Sequence, residues 1–310
     1  VSARLVLPPD APREEWLAAR RPAITASEVA VILGISPFDS AFNLYYRKRG
    51  EISDDYDNDA MSLGRHLEPW IADRWAADHP KWHVSETGLW QSEERPWQMA
   101  TPDRLLQDRG AGEHDWRERD SVLEIKSSGT YDGWGEDGTD QIPPYYRAQV
   151  LWQLDVLGLA EAHVTCFFLA TRQRRDYVVA YDQADVELMR AAASTFLMRI
   201  EDGDPPPVDG HDATARALME LWPKVEDGEA TIPAGLARRY EAAKKAAKKA
   251  KARVALAENE IRNRIGDAKT VLDPGGAKVA TRSRYEVAEH TRAACTVDKL
   301  TAPRAKKEAS

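Results

Sequence analysis

Two apolar runs that both read as strands, 97–106 and 121–127, place Asp103 in the first and Glu124 and Lys126 in the second. No other feature constrains the fold as much. Paired as antiparallel neighbours, the runs bring Asp103 and Glu124 side by side, and the two-residue period of a strand sets Glu124 and Lys126 on one face. Two carboxylates at one point repel each other unless a cation lies between them. All-oxygen ligation of that kind suits Mg²⁺ or Mn²⁺. A lysine beside such an ion orients or helps deprotonate water, or offsets charge on a phosphate. The bare pattern is short, and the same residues serve equally well as a salt bridge across a hairpin. The flanking sequence decides between the two readings.

Upstream, the sequence predicts short helices. Thr25-Ala26-Ser27-Glu28 has capping-box spacing, with Val29, Ile32 and Leu33 as the apolar face behind it and Gly34 as the stop. A turn at 36–40 feeds a second helix over 41–49, and an acidic stretch comes next. Leu63, Leu67, Trp70, Ile71 and Trp75 recur at helical spacing, which predicts a long helix over 61–78 whose regular turns begin close to Pro69. Strands are predicted at 83–91, 97–106 and 121–127, the last two joined by a polar insert, 107–120. A Gly/Asp-rich loop over 129–141 leads through Pro143-Pro144 into a helix ending near Gly158. Strands at 163–170 and 176–181 flank a basic turn at 172–175, and a helix over 183–202 closes this part. The order predicts an α/β architecture: a mixed central sheet flanked by helices.

The Pro/Gly/Asp-rich stretch 204–212 reads as a linker between a first domain, 1–203, and an accessory region, 213–310. That region is mainly helical, with a heptad-like seam of mostly small side chains over 236–261. A small hairpin around Asp273-Pro274-Gly275-Gly276 is predicted over 271–286, and the tail after 301 reads as disordered. Lys244, Lys245, Lys248, Lys249, Lys251 and Arg253 read as a solvated helix face, as a basic arm on duplex backbone, or as a platform for a partner.

Composition removes several classes. Two cysteines far apart, Cys166 and Cys295, argue against a disulfide framework and exclude a four-cysteine iron–sulfur cluster. The seven histidines show no paired zinc spacing. A net charge of −8 argues against a protein that coats nucleic acid over its whole surface, and is compatible with a localised cleft. No apolar stretch approaches membrane-spanning length and no secretory layout opens the chain, so a reducing cytoplasm and no membrane are expected.

Five blocks then occur in order: Arg20…Ile24-Thr25-Ala26-Ser27-Glu28, Gly64-Arg65-His66-Leu67-Glu68-Pro69, Ala100-Thr101-Pro102-Asp103, Leu123-Glu124-Ile125-Lys126, and Ile142-Pro143…Tyr146-Arg147-Ala148-Gln149-Val150. Over about residues 20–200 the chain resembles the YqaJ-type viral recombinases, the lambda exonuclease family of the restriction-endonuclease-like PD-(D/E)xK superfamily. Any one block is weak; five at workable separations are specific.

The resemblance implies roles residue by residue. Asp103 and Glu124 match the paired metal ligands, with the backbone carbonyl of Ile125 completing the shell. Glu68 matches the helix-borne acid that holds metal or its water, and Lys126 the catalytic lysine beside the attacking water. Gln149 matches a helix glutamine that supports the site, with Gln153, one turn on, as a rival. Arg20, or its neighbour Arg21, and Ser27 match residues that bind a terminal 5′ phosphate or the adjoining backbone.

By the same resemblance the chain is a Mg²⁺- or Mn²⁺-dependent deoxyribonuclease with one or two ions per site. It would digest one strand of duplex DNA from an end, 5′ to 3′, and leave a 3′ single strand for an annealing protein. A homo-oligomer, a trimer in the family, and the cytoplasm of a bacterial host belong to the same picture. Two other readings use the same fold: a structure-specific endonuclease, and a catalytically idle DNA-end-binding recombination protein. Retention of Asp103, Glu124 and Lys126 together argues against the idle one. Trp70 and Trp75 read as core, and Trp134 as a candidate wedge against a DNA end.

Overall fold

A computed structural model describes residues 3–54, 57–110 and 120–284. Most of the polar insert, Cys295 and the tail after 301 lie outside the described residues. The chain divides into two compact units, Val1–Pro223 and Lys224–Ser310.

The central sheet of the first unit runs β3 (Trp82–Ser85), β6 (Arg104–Asp108), β7 (Ser121–Ser128), β8 (Glu161–Phe168), β9 (Gln173–Ala180). Only β7 and β8 are parallel; the other neighbours are antiparallel, so the sheet is mixed. A parallel pair needs a crossover, and α5 (Pro144–Leu157) supplies it. Pro143-Pro144 start that helix, and Gly158, left-handed at φ 71°, ends it. Helix α5 is apolar nearly all round, and Val150, Leu151, Trp152, Leu154, Val156 and Leu157 are buried. It is buried because it packs on α2 (Ala26–Ile32), α6 (Gln183–Asp202) and strands of both sheets.

Strand β7 is covered on both faces. Val122 joins the cluster around α5, while Leu123 and Ile125 join Ile71, Ala72 and Trp75 of α4 (Asp59–Asp78). Alternation then sends Glu124 and Lys126 to the α5 side.

A second sheet holds β1 (Ala3–Leu7), β4 (Leu89–Ser92), β5 (Gln98–Ala100) and β2 (Ile24–Thr25) in that order. It corrects several expectations. The run 83–91 is two strands, β3 and β4, in different sheets. The break falls at Gly88, where a Cβ would sit 1.9 Å from the Leu7 carbonyl oxygen, so only glycine lets β1 close in. The run 97–106 is likewise β5 and β6. Pro102 has no N–H for a ladder, and the chain changes sheets through Thr101-Pro102-Asp103. Strands β1 and β2 interrupt the expected helical N-terminus beside α1 (Arg13–Arg20). Gln173–Arg175 belong to β9, leaving a tight turn with Arg172 at φ 58°.

Helix α4 starts earlier than its apolar pattern suggests, because Asn58 caps it by accepting from the Met61 N–H at 2.9 Å. Pro69 therefore lies inside the helix. Leu63 and Trp70 are exposed, and Trp70 packs edge-on against Phe167 instead of entering the core.

The stretch 204–212 does not end the first unit. Helix α7 (Asp212–Leu221) returns to α3 (Ala41–Arg49), where Ala217 packs with Phe42 and Ile52 and Thr214 Oγ1 donates to Ser40 Oγ at 2.7 Å. The second unit holds the 32-residue α8 (Ala234–Ile265), with no buried residue, and the hairpin β10 (Thr270–Leu272) and β11 (Lys278–Thr281).

Candidate active site

Arg104 pairs with Leu123 across β6 and β7. Asp103, one residue before, is therefore level with Glu124, and its Oδ2 accepts from the Ile125 N–H at 2.7 Å. Glu124 is 1% exposed. A carboxylate that deep costs several kcal/mol unless partners replace its water. Lys126 Nζ and Gln149 Nε2 (2.5 Å) donate to Oε1, and Gln153 Nε2 donates to Oε2 at 2.7 Å. The two glutamines expected to compete for one role both hold Glu124, one on each oxygen.

Burial raises the Asp103 carboxyl well above the ordinary aspartate range, and the negative charge of Glu124 and Glu68 outweighs Lys126 and the Ile125 N–H. Burial alone would lower the Lys126 ammonium; Glu124 and Asp103 reverse that and hold it above its ordinary value. Lys126 is thus a fixed cation at neutral pH. Its Nζ also lies 4.9 Å from the centroid of the Tyr146 ring.

Glu68, on α4, accepts from Arg104 Nη1 at 2.7 Å, and the same nitrogen donates to the Asp103 carbonyl at 2.5 Å. Arg104 is buried and ties the helix-borne acid to the backbone of Asp103, just before β6. Sequence reasoning missed it, since its only signal is adjacency to Asp103.

Glu68, Asp103, Ile125, Lys126 and Gln149 line a cleft of about 990 Å³, and Arg20 and Ser27 line it too. Glu124 stands behind that wall. The carboxylates and a backbone carbonyl among these residues suit a hard cation; the His211 imidazole also lines the cleft, with its Nδ1 accepting from the Ala213 N–H at 3.0 Å. Among the described residues no three His, Cys, Asp or Glu side chains enclose an ion by themselves. The mutual repulsion that raises Asp103 is what such a cation would relieve.

Arg20 stacks on Trp16 at 3.9 Å and donates through Nη2 to Thr25 Oγ1 (2.8 Å) and Ser27 Oγ (3.3 Å). Arg21 is exposed and is not part of the cleft wall. Beneath this pair Glu28 accepts from the Thr25 N–H at 2.9 Å and from Lys48 Nζ at 2.7 Å, with Arg20 at 3.8 Å. Lys48 Nζ also donates to the Arg20 and Ala23 carbonyls. Burial opposes the Glu28 charge, but Lys48 and Arg20 together hold the carboxyl below its ordinary value. Burial lowers Lys48, which has one anion and two cationic neighbours. Lys48 was hidden in the basic run Arg47-Lys48-Arg49, which looks like ordinary charge at a helix end.

Trp134 is not a wedge. It is 8% exposed and packs among Tyr146, Phe168 and Tyr177, where burying its ring outweighs offering it to a ligand.

A mixed sheet flanked by helices thus sets an aspartate beside a Glu-x-Lys strand, with an acid from the preceding helix and glutamines from the crossover helix. Residues 15–162 match the YqaJ-like viral recombinase domain. The uncharacterized protein YqaJ of Bacillus subtilis (strain 168) is 24% identical over 225 residues, which cover 70% of this chain and 66% of that protein. The chain thus spans just under two thirds of that relative's length. Among solved structures, LHK-Exo in complex with dAMP is 23% identical over 62% of this chain and 94% of its own, with a TM-score of 0.48. The alkaline exonuclease LHK-Exo from Laribacter hongkongensis is 22% identical over 67% of this chain and 99% of its own, with a TM-score of 0.47.

Proposed function

We propose that this protein is a metal-dependent DNA exonuclease of phage-type recombination. It resects duplex ends, 5′ to 3′, by phosphodiester hydrolysis and exposes a 3′ single strand for an annealing protein. One observation carries the reading: Asp103 and Lys126, with Glu124 behind them, share a single cleft with Arg20 and Ser27. The match to a YqaJ-like viral recombinase domain supports it.

Asp103, Glu124 and the Ile125 carbonyl, with Glu68 through water, would hold one or two Mg²⁺ or Mn²⁺ ions, which polarise a phosphate and make water nucleophilic near neutral pH. Lys126 offsets the negative charge that builds on the phosphate oxygens as the bond breaks. Gln149 and Gln153 keep Glu124 from turning away. Arg104 fixes Glu68 against the start of β6. Arg20 and Ser27 offer N–H and O–H donors to a terminal 5′ phosphate, and Trp16 and Thr25 hold the guanidinium in place. Association into a homo-oligomer, a trimer by resemblance, belongs to the same proposal.

The test is a time course on linear duplex with a 5′ phosphate, labelled at either end, beside a closed circle, in Mg²⁺ and in EDTA. Early release of the 5′ label, late release of the 3′ label and an intact circle are expected, in Mg²⁺ alone. A cut circle supports the structure-specific endonuclease instead. Metal-independent end binding with no cleavage supports the idle end-binder.

A further inference from the structure

Helix α8 has a charge distribution that the cleft does not explain. Over Ala234–Ile265 it carries ten Lys or Arg against three Asp or Glu. Residues 242–257 contain Lys244, Lys245, Lys248, Lys249, Lys251 and Arg253 and no acid at all. Among the described residues none of these six forms an ion pair, whereas Arg262, further along, pairs with Glu258 at 3.0 Å. Lys244 with Lys248, Lys245 with Lys249, and Lys249 with Arg253 are like charges four apart, which repel on a helix surface. An ordinary solvated face intersperses acids to avoid this.

At about 3.6 residues per turn, Lys244, Lys248 and Lys251 form one row and Lys245, Lys249 and Arg253 the next. The apolar seam of Leu236, Tyr240, Ala243, Ala247 and Val254 runs beside the first of these rows, where Lys244 Nζ lies 6.0 Å from the centroid of the Tyr240 ring. The stretch from Lys244 to Arg253 is about 14 Å long, the span of about four phosphates on one strand. Residues 1–223 hold 23 Lys and Arg against 39 Asp and Glu, whereas residues 224–310 hold 20 against 12. The unit that contains the cleft is therefore strongly acidic and repels a polyanion at long range.

We propose that the basic face of α8 is an arm that binds the phosphate backbone of duplex DNA independently of the cleft, supplying attraction that the acidic first unit lacks. The proposal rests on the nuclease reading only for the choice of duplex DNA as the polyanion.

The test uses the full chain in EDTA and measures binding to a short duplex between about 50 and 200 mM salt. In the sixfold variant K244Q/K245Q/K248Q/K249Q/K251Q/R253Q the log–log salt slope is expected to be shallower by about 3–5, with binding at least ~10-fold weaker at the low-salt end. Lys and Gln have similar helix propensity, and far-UV circular dichroism checks that α8 persists. The row variant K244Q/K248Q/K251Q should lose about half as much slope. The five Lys→Arg changes together should keep the wild-type slope. An unchanged slope in the Gln variants overturns the arm and leaves a solvated face or a protein-binding surface; so does an equal loss in the Arg variant. Cleavage in Mg²⁺ is scored separately. Steep binding without any cleavage removes the nuclease reading and keeps the arm, while cleavage with an unaltered slope does the reverse.

Discussion

Gln153 Nε2 donates to Glu124 Oε2 at 2.7 Å from a position with no solvent exposure. Gln149, one turn earlier, takes the other oxygen at 2.5 Å and faces the cleft. The two amides share a carboxylate but not an environment, so their losses separate. Gln153→Leu leaves a buried carboxylate oxygen without its donor and is expected to cost about 1–3 kcal/mol in denaturant unfolding. Gln149→Leu is expected to leave unfolding nearly unchanged and to lower turnover by about 10–100-fold, as losses of ligand-orienting partners do. Equal stability losses in the two variants would show that the distinction is mistaken.

Asp103 and Lys126 are expected to behave as groups tuned for chemistry at the expense of stability. Asp103→Asn and Lys126→Met should each lower turnover by at least ~10²–10³. Asp103→Asn also removes a carboxyl that burial, Glu124 and Glu68 all disfavour as an anion, while an amide oxygen still accepts from the Ile125 N–H. In EDTA its melting temperature should therefore equal or exceed that of wild type. Adding Mg²⁺ should raise the wild-type melting temperature by linkage and leave Asp103→Asn unmoved. A Mg²⁺ response that survives in Asp103→Asn places the ion elsewhere.

The same residues show where sequence reading succeeds and where it stops. Glu124 and Lys126 share a face because a strand has period two, a rule that holds whatever the sheet packs against. Helix α6 was legible to the residue because Asp182 caps its start, accepting from the Asp185 N–H, and Gly203 ends it in a left-handed turn. The runs 83–91 and 97–106 misled because apolar pattern reports burial but not which sheet does the burying. Gly88 and Pro102 were the only local marks of the change of sheet. Arg104 and Lys48 escaped for a related reason. A cation beside an acid in sequence, or at a helix end, looks solvated until tertiary packing removes the water. Trp134 erred the other way: a Gly/Asp-rich loop suggests exposure, but its ring closes over Phe168 and Tyr177.

Glu28 offers a test of the layer beneath Arg20. Its side chain is 10% exposed and that of Lys48 5% exposed, so Glu28→Gln strands a buried ammonium. The expected cost is roughly 3–5 kcal/mol, read by chemical denaturation. The carboxyl lies below its ordinary value of 4.5 in the folded protein. Its contribution is then fully present above that value and is lost as pH falls through the depressed native one. Wild type should lose stability more steeply than Glu28→Gln below pH 4.5, and parallel acid profiles would contradict the assignment.

His163 places a second titration at higher pH, away from the cleft. Its ring lies 5.4 Å from both Trp75 and Trp82, and among the described residues its Nε2 has no hydrogen-bond partner. Burial, with Lys81 and His79 adding to it, pushes the imidazole down from 6.5 to about 4. Between those values the unfolded chain binds a proton that the folded chain refuses, so stability rises with pH and falls on acidification. The full gap corresponds to roughly 3–3.5 kcal/mol. Melting temperature should therefore drop in wild type as pH goes from 6.5 to 4. In His163→Leu that part of the slope should disappear while the Glu28 loss below 4.5 remains. A slope untouched by His163→Leu would assign the acid sensitivity to other groups.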